Sequence, residues 1–441
     1  MDDMQQLMWH PITAHRGSLF HLLDDPRKDS EAYEFIDDAL LVTADGRIQS
    51  MGSYSQIQPT LAADINIEEH PDAILCPGFF DLHIHFPQLT TTAVYGEQLL
   101  GWLNTIIPQE EVYKDQSHAS QCAELFLGEL LRNGTTTAAV YGSWAKESVN
   151  ALFEKAADLN LRLGAGKVMA DRNMPEGISL TSPEQDYDDS KELIERWHGH
   201  KRLSYITTPR FAISCTPDDL RVCRRLLDEH PDSYLQTHLS ENPREIEFTL
   251  ELFPECKSYL DVYDSYGLLG PRTLFGHCIH LEDSDFQRVS ETGSVLCPNP
   301  PSNFFLGSGL FKFQAAKEHG IRMALGTDFG AGNTFSMLNS MENGYKMAQL
   351  QGYSLSPFEA FYHSTLGGAR ALSMDQQVGN FLPGKEADFI VLDKTATPFI
   401  EWRLQHASTP SEILFVLMML GDDRAIRATY VAGQQVHCKA A

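Results

Sequence analysis

Cysteine pairs, long apolar runs and positive charge are what this chain has least of. Its eight cysteines, at 76, 122, 215, 223, 256, 278, 297 and 438, are scattered with no Cys-x-x-Cys pair. That argues against a disulfide scaffold and suits reduced core thiols in a cytoplasmic enzyme. The longest apolar run, Ile413 to Leu420, has eight residues, whereas a membrane span needs about 20. The opening Met1-Asp2-Asp3-Met4-Gln5-Gln6 lacks the basic start of a signal peptide, so the cytoplasm is the expected compartment. Basic residues number 34 against 60 acidic ones, a net charge of −26. Such a surface repels phosphate backbones and anionic membranes, so neither nucleic acid nor a membrane is an expected partner. A substrate is expected to be neutral or cationic, or to meet a locally basic pocket. What is present is an ordinary globular balance, 42% hydrophobic and 21% charged over 441 residues. That balance excludes disorder, and the length calls for a large barrel with an accessory domain, or for two to three domains.

The pattern along the chain divides it. Residues 39–43 and 47–51 flank Asp45-Gly46, a hairpin signal, and strand-like runs at 388–392, 428–431 and 434–437 close the chain around an Ala432-Gly433 turn. Both ends are therefore expected to build one small β-sandwich domain, residues 1–76 together with 379–441. Between them, residues 77–378 alternate apolar runs with helical periodicity. One helix is plain, with Ala119, Cys122, Ala123, Phe126, Leu127 and Leu130 on one face and Asn133-Gly134 as its stop. Strand candidates at 79–86, 135–141, 161–169, 203–212, 233–238, 272–277, 293–297 and 321–328 make eight. The fold class expected is α/β, a (β/α)8 TIM-like barrel plus the terminal β-domain.

The run Pro77-Gly78-Phe79-Phe80-Asp81-Leu82-His83-Ile84-His85-Phe86-Pro87-Gln88 concentrates the chemistry. Strict alternation puts Phe80, Leu82, Ile84 and Phe86 on one face and Asp81, His83 and His85 on the other. A buried row of Asp and two His needs a partner, and a metal ion supplies one. His238, His277 and Asp328 each end a later strand candidate, where barrel enzymes carry catalytic groups. The intervals, 39 residues from 238 to 277 and 51 from 277 to 328, suit an adjacent strand and one skipped strand. Four imidazoles and a carboxylate at one mouth point to a single zinc ion, with Fe2+ or Mn2+ as competitors.

These residues resemble the metal motif of the amidohydrolase superfamily, and Asn380-Phe381-Leu382-Pro383-Gly384-Lys385-Glu386-Ala387-Asp388-Phe389 resembles its return into the β-domain. Narrower features resemble the guanine deaminases: Gln88 after His85, Pro209-Arg210-Phe211, His238-Leu239-Ser240-Glu241, the run from Ser302 to Gly309, and Gly326-Thr327-Asp328-Phe329-Gly330. The resemblance spans about residues 40 to 436 and implies zinc-dependent hydrolysis of guanine to xanthine and ammonia by attack on C2. It implies His83, His85, His238, His277 and Asp328 as metal ligands and Glu241 as the proton shuttle. Asp328 would also be first proton acceptor, and His277 would orient the attacked group. Gln88, Arg210 and Phe211 would bind the purine beside His238 and Glu241, and a homodimer is the family expectation.

Rival readings stay in view. A sibling deaminase or chlorohydrolase of a pyrimidine or triazine would share the metal site without the pair Gln88 and Arg210. A non-catalytic scaffold would be expected to have lost ligands. The fourth strand candidate, 203–212, has no lysine to bridge two metals, and Lys167 reads as structural. His198-Gly199-His200 reads as a solvated loop, His280 as surface or support, Trp102 as core, and Glu241 could instead cap the helix after it.

Overall fold

A computed structural model describes residues 12–439. The terminal segments build one seven-stranded sheet from β1 (Thr13–Leu22), β2 (Tyr33–Ala44), β3 (Arg47–Ser53) and β4 (Asn66–Pro77). Its far edge comes from the other end of the chain, residues 389–438. The Asp45-Gly46 turn of the hairpin has φ of 51° and 75°, the left-handed pair that joins strands tightly. Leu19, Leu41, Leu75, Phe389 and Tyr430 form its inner core.

The barrel strands follow: β5 (Phe79–His85), β6 (Thr135–Tyr141), β7 (Arg162–Gly166), β8 (Val168–Met169), β9 (Leu203–Pro209), β10 (Tyr234–Leu239), β11 (Thr273–His277), β12 (Val295–Cys297) and β13 (Arg322–Met323). After them come β14 (Phe389–Asp393), β15 (Ile426–Val431) and β16 (Gln434–Cys438) of the terminal sheet. The barrel ladder is parallel from β5 through β6, β7, β9, β10, β11 and β12 to β13, and β8 pairs separately with β9. Extended backbone beyond β13 closes the ring: Leu82 N donates to Leu325 O at 3.2 Å, and Asp328 N to His83 O at 2.8 Å. The expected strand over 161–169 breaks at Lys167, whose buried ammonium leaves the ladder to pair with Asp186. The expected last strand, 321–328, is regular only at β13, and its second half meets β5 through the separate bonds at Leu325 and Asp328.

Helices cover the outside. That over Gln116–Arg132 buries Ala119, Cys122, Ala123, Phe126, Leu127 and Leu130, and Asp115 caps it by accepting from His118 N at 2.8 Å. The eight cysteines are free thiols, and among the described residues no helix is long and apolar enough to cross a membrane.

One expectation about β5 is corrected. Asp81 pairs with Ala138 but Ile84 with Val140, so three steps on β5 oppose two on β6. This bulge reverses the alternation. Phe80 and Leu82 fill the barrel interior with Ala139, Ile206, Tyr234 and Leu274, whereas Ile84 and Phe86 join the outer core. His85 lies opposite Tyr141 and so faces inward, while Asp81 takes the outward face of Ala138. Asp81 therefore does not share a face with His85. A bulge re-aims side chains in this way, and such bulges gather beside functional sites.

Candidate metal centre and active site

Four donors converge at the C-terminal mouth of the barrel. Ligand atoms of His83, His85, His238 and Asp328 all lie within 4.8 Å of one another. Asp328 Oδ1 stands 3.1 Å from His85 Nε2 and 3.4 Å from His83 Nε2, and His238 Nε2 is 3.2 Å from His85 Nε2. Because a carbonyl only accepts, the 2.6 Å contact from His238 Nδ1 to Arg210 O fixes the proton on Nδ1. Nε2 of His238 then offers its lone pair inward, the tautomer a ligand needs. Burial pushes His85 down to about 4 and His238 well below its usual value, so both rings are neutral. Burial alone would raise Asp328, but His83 and His85 outweigh it and hold the carboxylate ionised. His83 Nε2 is buried without a hydrogen-bond partner. Three imidazoles and a carboxylate oxygen around one point fit a divalent ion of the zinc type.

The scaffold around these donors is tight and strained. Tyr141 packs its ring against His83, His85 and His238 at 4.6–4.8 Å. A Cβ on Gly276 would come within 2.3 Å of the His83 ring, so β11 passes that close only as glycine. Ser240, His277, Cys278 and Asp328 have φ of 50°, 66°, 57° and 48°. Such left-handed non-glycine backbone persists where surrounding structure over-determines it, commonly at active sites. Asp81 supplies part of that surrounding structure. It accepts from Thr327 N at 3.1 Å and Thr327 Oγ1 at 2.5 Å, fixing the residue before Asp328.

His277 stands beside the four donors, outside that set. Its Nε2 is 3.7 Å from Asp328 Oδ2 and 3.4 Å from Glu241 Oε2. Asn303 Nδ2 contacts His277 Nδ1 at 3.0 Å; as a donor there, it leaves the ring proton on Nε2, aimed at the two carboxylates. Glu241 is buried, and Ser308 Oγ donates to its Oε1 at 2.8 Å. Burial, then the charges of Asp328 and Glu245, push the Glu241 carboxyl well above its usual value. Glu241 is not the cap of the following helix. Asn242 and Glu245 form that capping box, and Glu245 accepts from Glu241 N at 2.8 Å.

Above the donors lies a narrow cavity lined by His85, Gln88, Trp102, Arg210, Phe211 and Glu241 among others. Arg210 Nη1 and Gln88 Oε1 are buried there without hydrogen-bond partners, a donor and an acceptor available to a ligand. Trp102 is both core and wall: it is buried, donates from Nε1 to Val94 O at 3.1 Å, and lines the cavity. Glu110 escapes sequence reasoning. Its Oε1 accepts from Gln88 Nε2 at 3.4 Å, and its Oε2 lies 3.9 Å from Arg210 Nη1. Burial pushes its carboxyl up to about 7 against the opposing pull of Arg210. Glu110→Ala is expected to raise KM about 10-fold or more, the loss of roughly one charged hydrogen bond, with metal content unchanged; steady-state kinetics and metal analysis check both.

The two sequence decoys lie outside the donor set. His198 Nδ1 accepts from Tyr205 N at 3.1 Å and its Nε2 meets Asp232 at 3.2 Å. His280 donates from Nε2 to Ser308 O at 2.8 Å, steadying the residue that holds Glu241.

Barrel, bulged histidine strand and converging donors together define a metal-dependent hydrolase, and the Amidohydrolase family model matches residues 74–436. The chain is 45% identical to guanine deaminase of Escherichia coli (strain K12), over 97% of this chain and 98% of that one. The crystal structure of guanine deaminase from Bradyrhizobium japonicum matches with a TM-score of 0.93 at 38% identity, covering 98% of this chain and 100% of that one. The crystal structure of guanine deaminase from C. acetobutylicum with bound guanine in the active site matches with a TM-score of 0.86 at 28% identity, covering 97% of this chain and 100% of that one. The chain belongs to the guanine deaminase family of amidohydrolases.

Proposed function

We propose that this protein hydrolyses guanine to xanthine and ammonia, with His83, His85, His238 and Asp328 holding one zinc ion. The observation that carries the reading is a buried, proton-retaining Glu241 over the four-donor set, in a cavity that also holds the unpaired guanidinium of Arg210. A divalent ion in that set supplies Lewis acidity that lets a water ionise near neutral pH.

The protein's own groups do the rest. Arg210 offers donors to O6 and N7 of the purine, and Gln88 can donate and accept at once. Phe211 supplies an apolar wall for the ring. Asp328 Oδ2, turned away from His83 and His85, takes the first proton from the attacking water. Glu241 passes a proton to the ring nitrogen next to C2 and then to the departing amine. The C2–O bond forms first, as the ring nitrogen is protonated. Glu241 then takes the remaining proton of the added hydroxyl and gives it to the amine as the C2–N bond breaks. The proton held by Asp328 restores Glu241, so water's two protons end on the ring and on ammonia. We read His277 as a hydrogen-bond donor to the reacting oxygen, not as a fifth ligand, because its Nε2 carries the proton that the Asn303 contact assigns. The N3O donor set suits Fe2+ and Mn2+ as well as zinc. The reduced thiols fit a cytoplasmic setting. A panel of guanine, cytosine and an amino-triazine tests the substrate class: ammonia is expected from guanine alone, and equal rates on the others would overturn the assignment.

A further inference from the structure

The terminal sheet carries a second group of donors, on strands other than those that bear the barrel-mouth set. His15 on β1 lies opposite Glu68 on β4 in the parallel ladder. Register then shifts, Arg16 pairing with Glu69 but Ser18 with Ile74, and this bulge folds His70 back beside His15. His15 Nδ1 is 3.2 Å from His70 Nε2 and 3.3 Å from Glu68 Oε2, and His70 Nε2 is 3.9 Å from Glu68 Oε2. Donors about 2.0–2.1 Å from a tetrahedral zinc ion stand about 3.3 Å apart. The two edges at His15 match that spacing and the 3.1–3.4 Å separations among the barrel donors, and the His70–Glu68 edge is longer at 3.9 Å. Hydrogen bonding alone satisfies the triangle poorly, since a proton between two of its members leaves the third facing a lone pair.

From this geometry we propose that His15, Glu68 and His70 form a second divalent-metal site, of zinc type, that staples β1 to β4. Two buried imidazoles and one carboxylate are a zinc donor set that leaves a further position for water. Tyr430 donates to Glu68 Oε2 at 2.8 Å, and Gln435 Nε2 donates to Tyr430 Oη at 3.2 Å, so the carboxylate is oriented from outside as metal carboxylates are. The side chain of Glu68 is 39% exposed while those of His15 and His70 are 1% and 10% exposed, which gives an ion an entry path to an otherwise buried set. The site touches no residue of the barrel mouth, so its role is structural.

Zinc per chain in full-length protein, loaded with Zn2+ and dialysed against metal-free buffer, tests this. Wild type is expected to retain one equivalent more than His70→Ala, with guanine turnover equal in the two. Glu68→Gln, at a half-exposed position and still able to accept from Tyr430, is expected to lose the same equivalent and guards against a folding defect in the first variant. Equal zinc content in wild type and both variants would overturn the proposal.

Discussion

Glu241→Gln lowers kcat for guanine by about 10²–10⁴-fold, the usual worth of a positioned general acid–base, while zinc content stays at the wild-type value. The substitution keeps the size and the Ser308 contact but removes a group that can both release and accept a proton. Burial and the facing charge of Asp328 make the wild-type carboxyl retain its proton far better than an exposed glutamate. A helix-capping role would predict a different outcome, lost stability with intact chemistry. The capping work is already done by Asn242 and Glu245, so thermal stability of the variant is expected to remain near wild type. Turnover under saturating guanine, with a melting curve and metal analysis, separates the two.

Arg210→Ala lowers kcat/KM for guanine by roughly 30- to 1,000-fold, equivalent to about 2–4 kcal/mol for removing one partner of a buried charged hydrogen bond. Two structural facts set the size of the effect. Arg210 is buried with Nη1 unpaired, and its nearest carboxylate, Glu110, is 3.9 Å away, too far for a hydrogen bond. The guanidinium is thus poised for a ligand that completes its pairing. Its backbone carbonyl also fixes the His238 tautomer, but that contact survives the substitution, so metal content is expected to hold. Loss of zinc along with activity would instead assign Arg210 to the scaffold of the metal site.

What could be read in the sequence tracks the range of the interactions. Alternation within β5 and the expected strand ends at His238 and Asp328 are local patterns, and they single out the four side chains that the fold brings together. The bulge between Asp81 and Ile84 is set by pairing with β6, so no pattern within β5 announces it. The inward row read there was right for the histidines and wrong for Asp81, Phe80 and Leu82. Asp81 finds its true partner, Thr327, 246 residues away. Glu110 and the Asn303 contact to His277 are invisible for the same reason: neither has a spacing rule, and each acquires meaning only when loops from different strands meet above the barrel. His277 illustrates the limit most clearly. Its place at a strand end is legible, but its ring orientation depends on Asn303 and on a left-handed backbone at φ 66°.

The most direct test of the account follows guanine by ultraviolet absorbance, with ammonia release measured alongside, through metal removal and return. Zinc-replete protein is expected to convert guanine to xanthine with one ammonia per turnover, to stop after chelation, and to resume when zinc is restored. Guanine left unchanged by zinc-replete protein, or converted at the same rate after chelation, would contradict it.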